Sequence, residues 1–267
     1  MNLRVSMLAL GLVLTPALAA TPALAQSAAE IAEPAHKTAA DRLANIVAPD
    51  SDVPILVDGV LKSLISGMVK AEPEMVEFDA AFPGLFDAMK TAWRPVLLKA
   101  AYQSRPLYRA DLSQLYQNNL TTAEMNEAAD FLSQPDIQRF FVAAKSKVDF
   151  SATVADALAE RDVSTESVRS DVGRAGTAAA ADLSPEMEQK LTAFFGSPVG
   201  RKLVALNSKK AALDAKWVNY SPPGAEQEIE QATLEAMLTH IAKTDPKLAA
   251  AMRKKLESDG DLKKQKR

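Results

Sequence analysis

Histidine and cysteine carry much of the nucleophilic and metal-binding chemistry of proteins, and this chain is poor in both. It contains no cysteine and two histidines, His36 and His240. Thiol catalysis, thiolate metal sites, disulfides and lipid attachment at a cysteine are thereby excluded from these residues. His240 stands one residue before Ile241 and three after Met237, on a helical apolar pattern, and reads as a structural histidine rather than a catalytic base. No G-x-S-x-G nucleophile elbow accompanies either histidine. Carboxylates are plentiful, but no grouping is telling. Glu226 and Glu230, with Glu228 nearby, share a helix face as i, i+4 residues do. A divalent cation would need further oxygens converging from other elements, so this is read as a solvated acidic face. Gly196-Ser-Pro-Val-Gly200 lacks both the preceding strand and the Gly-Lys-Ser/Thr ending of a phosphate-binding loop. No cofactor and no metal are expected. Arg253-Lys254-Lys255 and Lys263-Lys264-Gln265-Lys266-Arg267 form a basic C-terminal stretch. It could touch an anionic surface peripherally, or only solubilise the chain. Aromatic residues do not alternate with it, so nucleic acid is not expected as a partner.

The remaining candidates are aromatic. Trp93, Phe131, Phe194, Phe195 and Trp217 could line a groove between helices, the usual way a helical protein accepts a peptide or an apolar ligand. The plainer reading of aromatics at helical spacing is ordinary core.

These residues must be positioned by helices. Val57, Val60, Leu61, Leu64, Ile65 and Met68 recur at helical spacing from about Val53 to Ala71, and Glu72-Pro73-Glu74 stops that run. A helix is predicted from Leu85 to Gln103. Pro95 should kink or split it near Trp93, and Pro106 should open the next helix. One pattern then occurs twice, 63 positions apart: Leu120-Thr-Thr-Ala-Glu124 to Phe131-Leu-Ser-Gln-Pro135, and Leu183-Ser-Pro-Glu-Met187 to Phe194-Phe-Gly-Ser-Pro198. Thr121 with Glu124 makes a capping box, and Ser184 and Ser197 are N-caps. Pro135 and Pro198 sit where a first helical residue needs no N–H. Gly196 should end its helix in the left-handed conformation, and Gly200 should permit close helix approach or set the hairpin angle. Each copy, about 120–148 and 183–213, reads as a helix–turn–helix hairpin, and the two should pack as a pseudo-symmetric pair. Between them Ser164 to Asp182 is poor in large apolar residues and reads as a connection with a short or frayed helix. Tyr220-Ser-Pro-Pro-Gly224 breaks the chain, and a last helix pair follows over about 226–243 and 245–256. No stretch alternates with period two. The fold class expected is all-α, a helical bundle built around two repeated helix–turn–helix hairpins.

The string Leu183-Ser-Pro-Glu186, then Ala193-Phe-Phe-Gly-Ser-Pro198-Val-Gly200-Arg-Lys202, resembles the signature of DUF2059, a family of exported bacterial proteins of unknown function. The family pattern is a Thr/Ser-x-Glu helix start, then Phe-Tyr-x-Ser-Pro-x-Gly-x-Lys. Here Phe195 replaces the Tyr. The first copy keeps the spacing with Leu132, Gln134 and Ile137 at the second aromatic, the Ser and the Gly. The resemblance covers roughly residues 105–215. It implies an α-helical exported protein and no particular activity.

The ends and the composition complete the reading. Arg4, the apolar run Met7 to Leu14, and Ala23-Leu24-Ala25 read as a signal peptide over residues 1–25, cleaved after Ala25. Ala17-Leu18-Ala19 is a second candidate cleavage site. Residues 26–50 read as a flexible leader, 51–258 as one all-helical domain, and 259–267 as a disordered basic tail. No transmembrane span is expected in the mature chain. With 48% hydrophobic and only 6% aromatic residues, the core must be built from Ala, Leu, Val, Ile and Met, which favours helices over strands. A net charge of −3 nominates no partner. The expectation is a periplasmic or secreted, non-enzymatic binding or accessory protein whose partner is an envelope protein or an apolar ligand. The alternative is an envelope hydrolase working with two carboxylates about 5–9 Å apart.

Overall fold

The computed structural model describes residues 33–72 and 74–265, with side chains described over 35–256 apart from 73. The signal peptide, both candidate cleavage sites and the first residues of the expected leader lie outside the described residues. Among the described residues every regular element is helical: α1 (Glu33–Val47), α2 (Val53–Ala71), α3 (Glu74–Ala81), α4 (Leu85–Gln117), α5 (Thr122–Leu132), α6 (Pro135–Ser146), α7 (Ser151–Leu158), α8 (Thr165–Ala180), α9 (Pro185–Gly196), α10 (Pro198–Ala205), α11 (Asn207–Val218), α12 (Ala225–Thr244) and α13 (Pro246–Gln265). A single 3₁₀ turn at Asp50–Asp52 joins α1 to α2. No described helix is long and apolar enough to cross a membrane.

The axis of the molecule is α4, which at 33 residues is about 50 Å long. It packs against α1, α2, α11 and, most extensively, α12. Its buried stripe runs from Leu85 through Met89, Trp93, Leu97, Ala101, Tyr108 and Leu112 to Tyr116. Of the kink or split expected at Pro95 the split does not occur, nor does a new helix open at Pro106, because both prolines lie inside one continuous helix. Each ring frees the carbonyl four residues earlier. Pro95 and Pro106 are exposed, and so are Thr91 and Tyr102, the residues that lose a partner. Water can satisfy those carbonyls, so the buried stripe on the opposite face carries the helix through.

Two further expectations are corrected. The described part of the flexible leader is the helix α1, packed on α4 and α5. Ala39, Ala40, Leu43, Ala44 and Val47 are buried along one face. His36 fixes its start, donating from Nε2 to the Gln117 carbonyl at 3.0 Å while Nδ1 lies 3.1 Å from Thr122 Oγ1. The stripe is mostly alanine, which is why hydropathy passed over it. Likewise Ser164 to Asp182 is not a frayed connection. Ser164 caps α8, its hydroxyl accepting from the Ser167 N–H at 3.0 Å. From α8 the buried Asp171 accepts the Ala152 and Thr153 N–H groups at 3.0 and 2.9 Å, capping α7 from a neighbouring helix.

The two helices that pack most heavily start alike. Gly84 and Gly224 hold φ of 87° and 85°, each following a proline. Leu85 and Ala225 donate back to the Phe82 and Pro222 carbonyls, closing Pro-Gly turns that send the chain into α4 and α12. The expected disordered tail begins inside α13, whose backbone is helical to Gln265; Lys266 and Arg267 lie outside the described residues.

Candidate functional site

The capping expectations correspond to observed bonds. Thr121 Oγ1 accepts from the Glu124 N–H at 3.3 Å, and Glu124 Oε2 accepts from the Thr121 N–H at 2.9 Å. Ser184 accepts from Met187 at 3.2 Å and Ser197 from Gly200 at 3.1 Å, while Pro135 and Pro198 are first helical residues. Gly196 departs from expectation. It has no positive φ, and the chain turns at Ser197, whose φ of −69° and ψ of 164° are extended. Gly200 is the position that needs glycine, since a Cβ there would sit 2.5 Å from Phe195 Cα and closer still to the Phe194 carbonyl oxygen.

The five aromatic candidates separate in space. Trp93 is buried beneath α12 and donates to Thr233 Oγ1 at 2.6 Å. Trp217 donates to Asp111 Oδ2 at 3.0 Å and meets Tyr220 edge-on at 5.0 Å. Both are anchors of the core rather than walls of a groove. Phe131 and Phe194, equivalent positions of the sequence repeat, stack with ring centroids 3.8 Å apart and planes 5° from parallel. Two ion pairs flank this contact. Lys202 on α10 reaches Glu124 on α5 at 2.6 Å, and Lys190 on α9 reaches Asp136 on α6 at 2.5 Å. Burial pushes the Glu124 carboxyl up, but Lys202 and the Thr121 N–H together hold it below its ordinary range. Phe195 faces a cavity.

That cavity is a pocket of about 1170 Å³, walled by α8, α9 and α11 with contributions from Phe140 of α6 and Val204 of α10. Its sides are apolar or small: Val168, Val172, Gly173, Gly176, Ala180, Leu191 and Phe195. The small residues that made α8 look like a loop are what hollow out this space, because alanine and glycine project too little to fill it. Two charged side chains from α11, Lys210 and Asp214, also line it.

Those two belong to a buried polar cluster that sequence reading did not find. Lys210 donates to Asp214 Oδ2 at 2.6 Å, and Tyr108 donates to Asp214 Oδ1 at 2.8 Å. Behind them Lys145 meets Asp52 Oδ2 at 2.5 Å, and the Arg105 guanidinium lies 3.8 Å from the same oxygen while donating to the Pro49 carbonyl. Every one of these side chains is buried, with Asp52 and Tyr108 at 0% exposure. Burial pushes the Asp214 carboxyl up and the Lys145 ammonium and Arg105 guanidinium down, in each case against the pull of their partners, whereas burial and the neighbouring Asp214 charge together push the Tyr108 phenol up. The signal that could have revealed the cluster is the i, i+4 pair Lys210–Asp214 placed between apolar Leu206, Ala211, Ala215 and Val218. On a helix, however, such a pair looks the same whether it faces water or core.

A second hollow of about 680 Å³ lies between the start of α4 and α12, where His240 Nε2 donates to the Pro83 carbonyl at 3.0 Å. Among the described residues no group of three or more histidine or carboxylate side chains is placed to hold a metal. The chain matches no protein-family profile, no curated protein and no solved structure.

Proposed function

We propose that the chain is an exported, non-enzymatic binding protein of the bacterial envelope, related to DUF2059, that holds an apolar ligand between its helices. The carrying observation is the pocket of about 1170 Å³ between α8, α9 and α11, which lies somewhat beyond the roughly 300–1,000 Å³ of ordinary small-molecule sites. The resemblance around Ser184 to Lys202 and the signal-like N-terminus support export to the periplasm or beyond. The Phe131–Phe194 stack and its flanking ion pairs support reading 120–148 and 183–213 as paired elbows that brace the pocket from one side. The basic stretch at Arg253–Lys255 and beyond fits peripheral contact with an anionic surface.

The test is titration of the purified protein with an environment-sensitive apolar dye. Saturable binding that disappears in Gly173→Phe is the expected result, since the position has open space around it and faces the pocket. Binding that is non-saturable, or indifferent to that substitution, would count against the reading.

A hydrolase is the competing reading, and one observation favours it: Glu188 of α9 and Asp214 of α11 are carboxylates from different helices lining the same pocket. Against it, both Asp214 oxygens are engaged, one by Tyr108 and one by Lys210. Turnover of a glycoside that is abolished in Glu188→Gln would establish it over the binding role.

A further inference from the structure

Charge in the buried cluster beside the pocket is unbalanced. In the buried cluster Arg105, Lys145 and Lys210 face two carboxylates, Asp52 and Asp214. Tyr108 does not make up the difference, since burial keeps its phenol protonated. In the pocket lining Arg169 and Arg174 are already paired with Glu166 and Asp171 of the same helix, so the surplus that reaches the pocket is that of the buried cluster, through Lys210. An ammonium has three N–H donors, and Lys210 spends one on Asp214 Oδ2, its single hydrogen-bond acceptor among the described residues. Lys210 is 7% exposed and lines the pocket, so its remaining donors have little access to bulk water. A charge in such surroundings without a full set of partners is costly, and a ligand that supplies the missing anion recovers that cost.

We propose that the pocket takes an acyl-type apolar chain bearing one negative charge, its head held by Lys210 and its chain lying along Val172, Leu191 and Phe195. The proposal rests on the pocket being a ligand site, and deepens that reading by fixing the ligand's polarity. Carboxylate and phosphate monoester heads share the required chemistry. A cationic head is disfavoured by the surplus of ammonium and guanidinium groups, and an uncharged head leaves the surplus uncompensated. Asp214 sets the geometry: it holds Lys210 on one side while Tyr108 fixes its other oxygen, so the ammonium cannot swing away to follow water.

The experiment is displacement of the bound dye by dodecanoic acid, dodecyl phosphate, dodecanol and dodecylamine, each below its micelle concentration. For the wild-type protein one of the two anionic amphiphiles should bind at least about 10-fold tighter than the alcohol, and the amine should bind weakest. Whichever anion is preferred names the head. Lys210→Met alone would strand a buried carboxylate, so Lys210→Met/Asp214→Asn is the informative variant, retaining an acceptor for Tyr108. It should bring the anion's affinity down to that of dodecanol measured on the same variant. Equal binding of acid, phosphate and alcohol, or an anion preference that survives in the double variant, overturns the polarity assignment while leaving the apolar pocket intact. Failure of all four to displace the dye, with Gly173→Phe also without effect, overturns the pocket reading itself.

Discussion

Lys145 is the residue with most at stake. Its ammonium is the closest partner of Asp52, a carboxylate with no exposure to water, and it also lies 3.5 Å from the Val47 carbonyl. Removing one member of a buried pair leaves the other charge uncompensated, which costs about 3–5 kcal/mol, whereas removing both charges costs far less than the sum. Lys145→Met and Asp52→Asn should therefore each lower the urea midpoint sharply. The double variant should fall well short of additivity. Additive losses would mean that the two groups do not act as a pair. The surface ion pairs are of a different kind. Arg42–Asp130, Arg94–Asp58 and Lys99–Glu228 are open to solvent, where screening and side-chain entropy leave little net stabilisation.

At the level of elements, the turn from α9 to α10 depends on glycine at one position and not at the next candidate. A Cβ at Gly200 would press on the backbone of Phe194 and Phe195, which no rotamer change relieves, whereas a Cβ at Gly196 would meet nothing within 4 Å. Gly200→Ala should destabilise the fold by about 1–3 kcal/mol or more. Gly196→Ala, at a helical and exposed position, should stabilise it by about 0.5–1 kcal/mol. Thermal unfolding of the two variants should move in opposite directions. A shared direction would refute the close approach assigned to Gly200 in the turn from α9 to α10. The prolines of α4 teach the complementary lesson. Pro95 and Pro106 interrupt hydrogen bonding without interrupting the helix, because the freed carbonyls face water and the buried stripe does not include them.

For the whole molecule, the decisive element is α1. It covers α4 and α5, ties its start to Gln117 and Thr122 through His36, and leads into Asp50–Asp52, where the carboxylate for Lys145 and Arg105 originates. A chain beginning after Val47 should lose cooperative unfolding, followed by near-ultraviolet circular dichroism during urea titration. An unchanged midpoint would mean that α1 is the dispensable leader that its composition implies.

Much of this was legible without coordinates. The all-helical class, the caps at Thr121, Ser184 and Ser197, and the need for a small residue at Gly200 follow from periodicity and local hydrogen bonding, which act between residues a few positions apart. What the sequence could not decide depends on partners distant along the chain. An alanine stripe forms α1 only because α4 and α5 are there to cover it. Small residues make α8 the wall of a pocket rather than a loop because α7 and α11 pack against it and hold it in place. Trp93 and Trp217 anchor the core while Phe195 faces the pocket, since burial is set by neighbours that apolar spacing does not name. The charged cluster was invisible for the same reason: Asp52, Arg105, Lys145 and Asp214 come from four separate segments, and only the folded chain removes the water that would otherwise separate them.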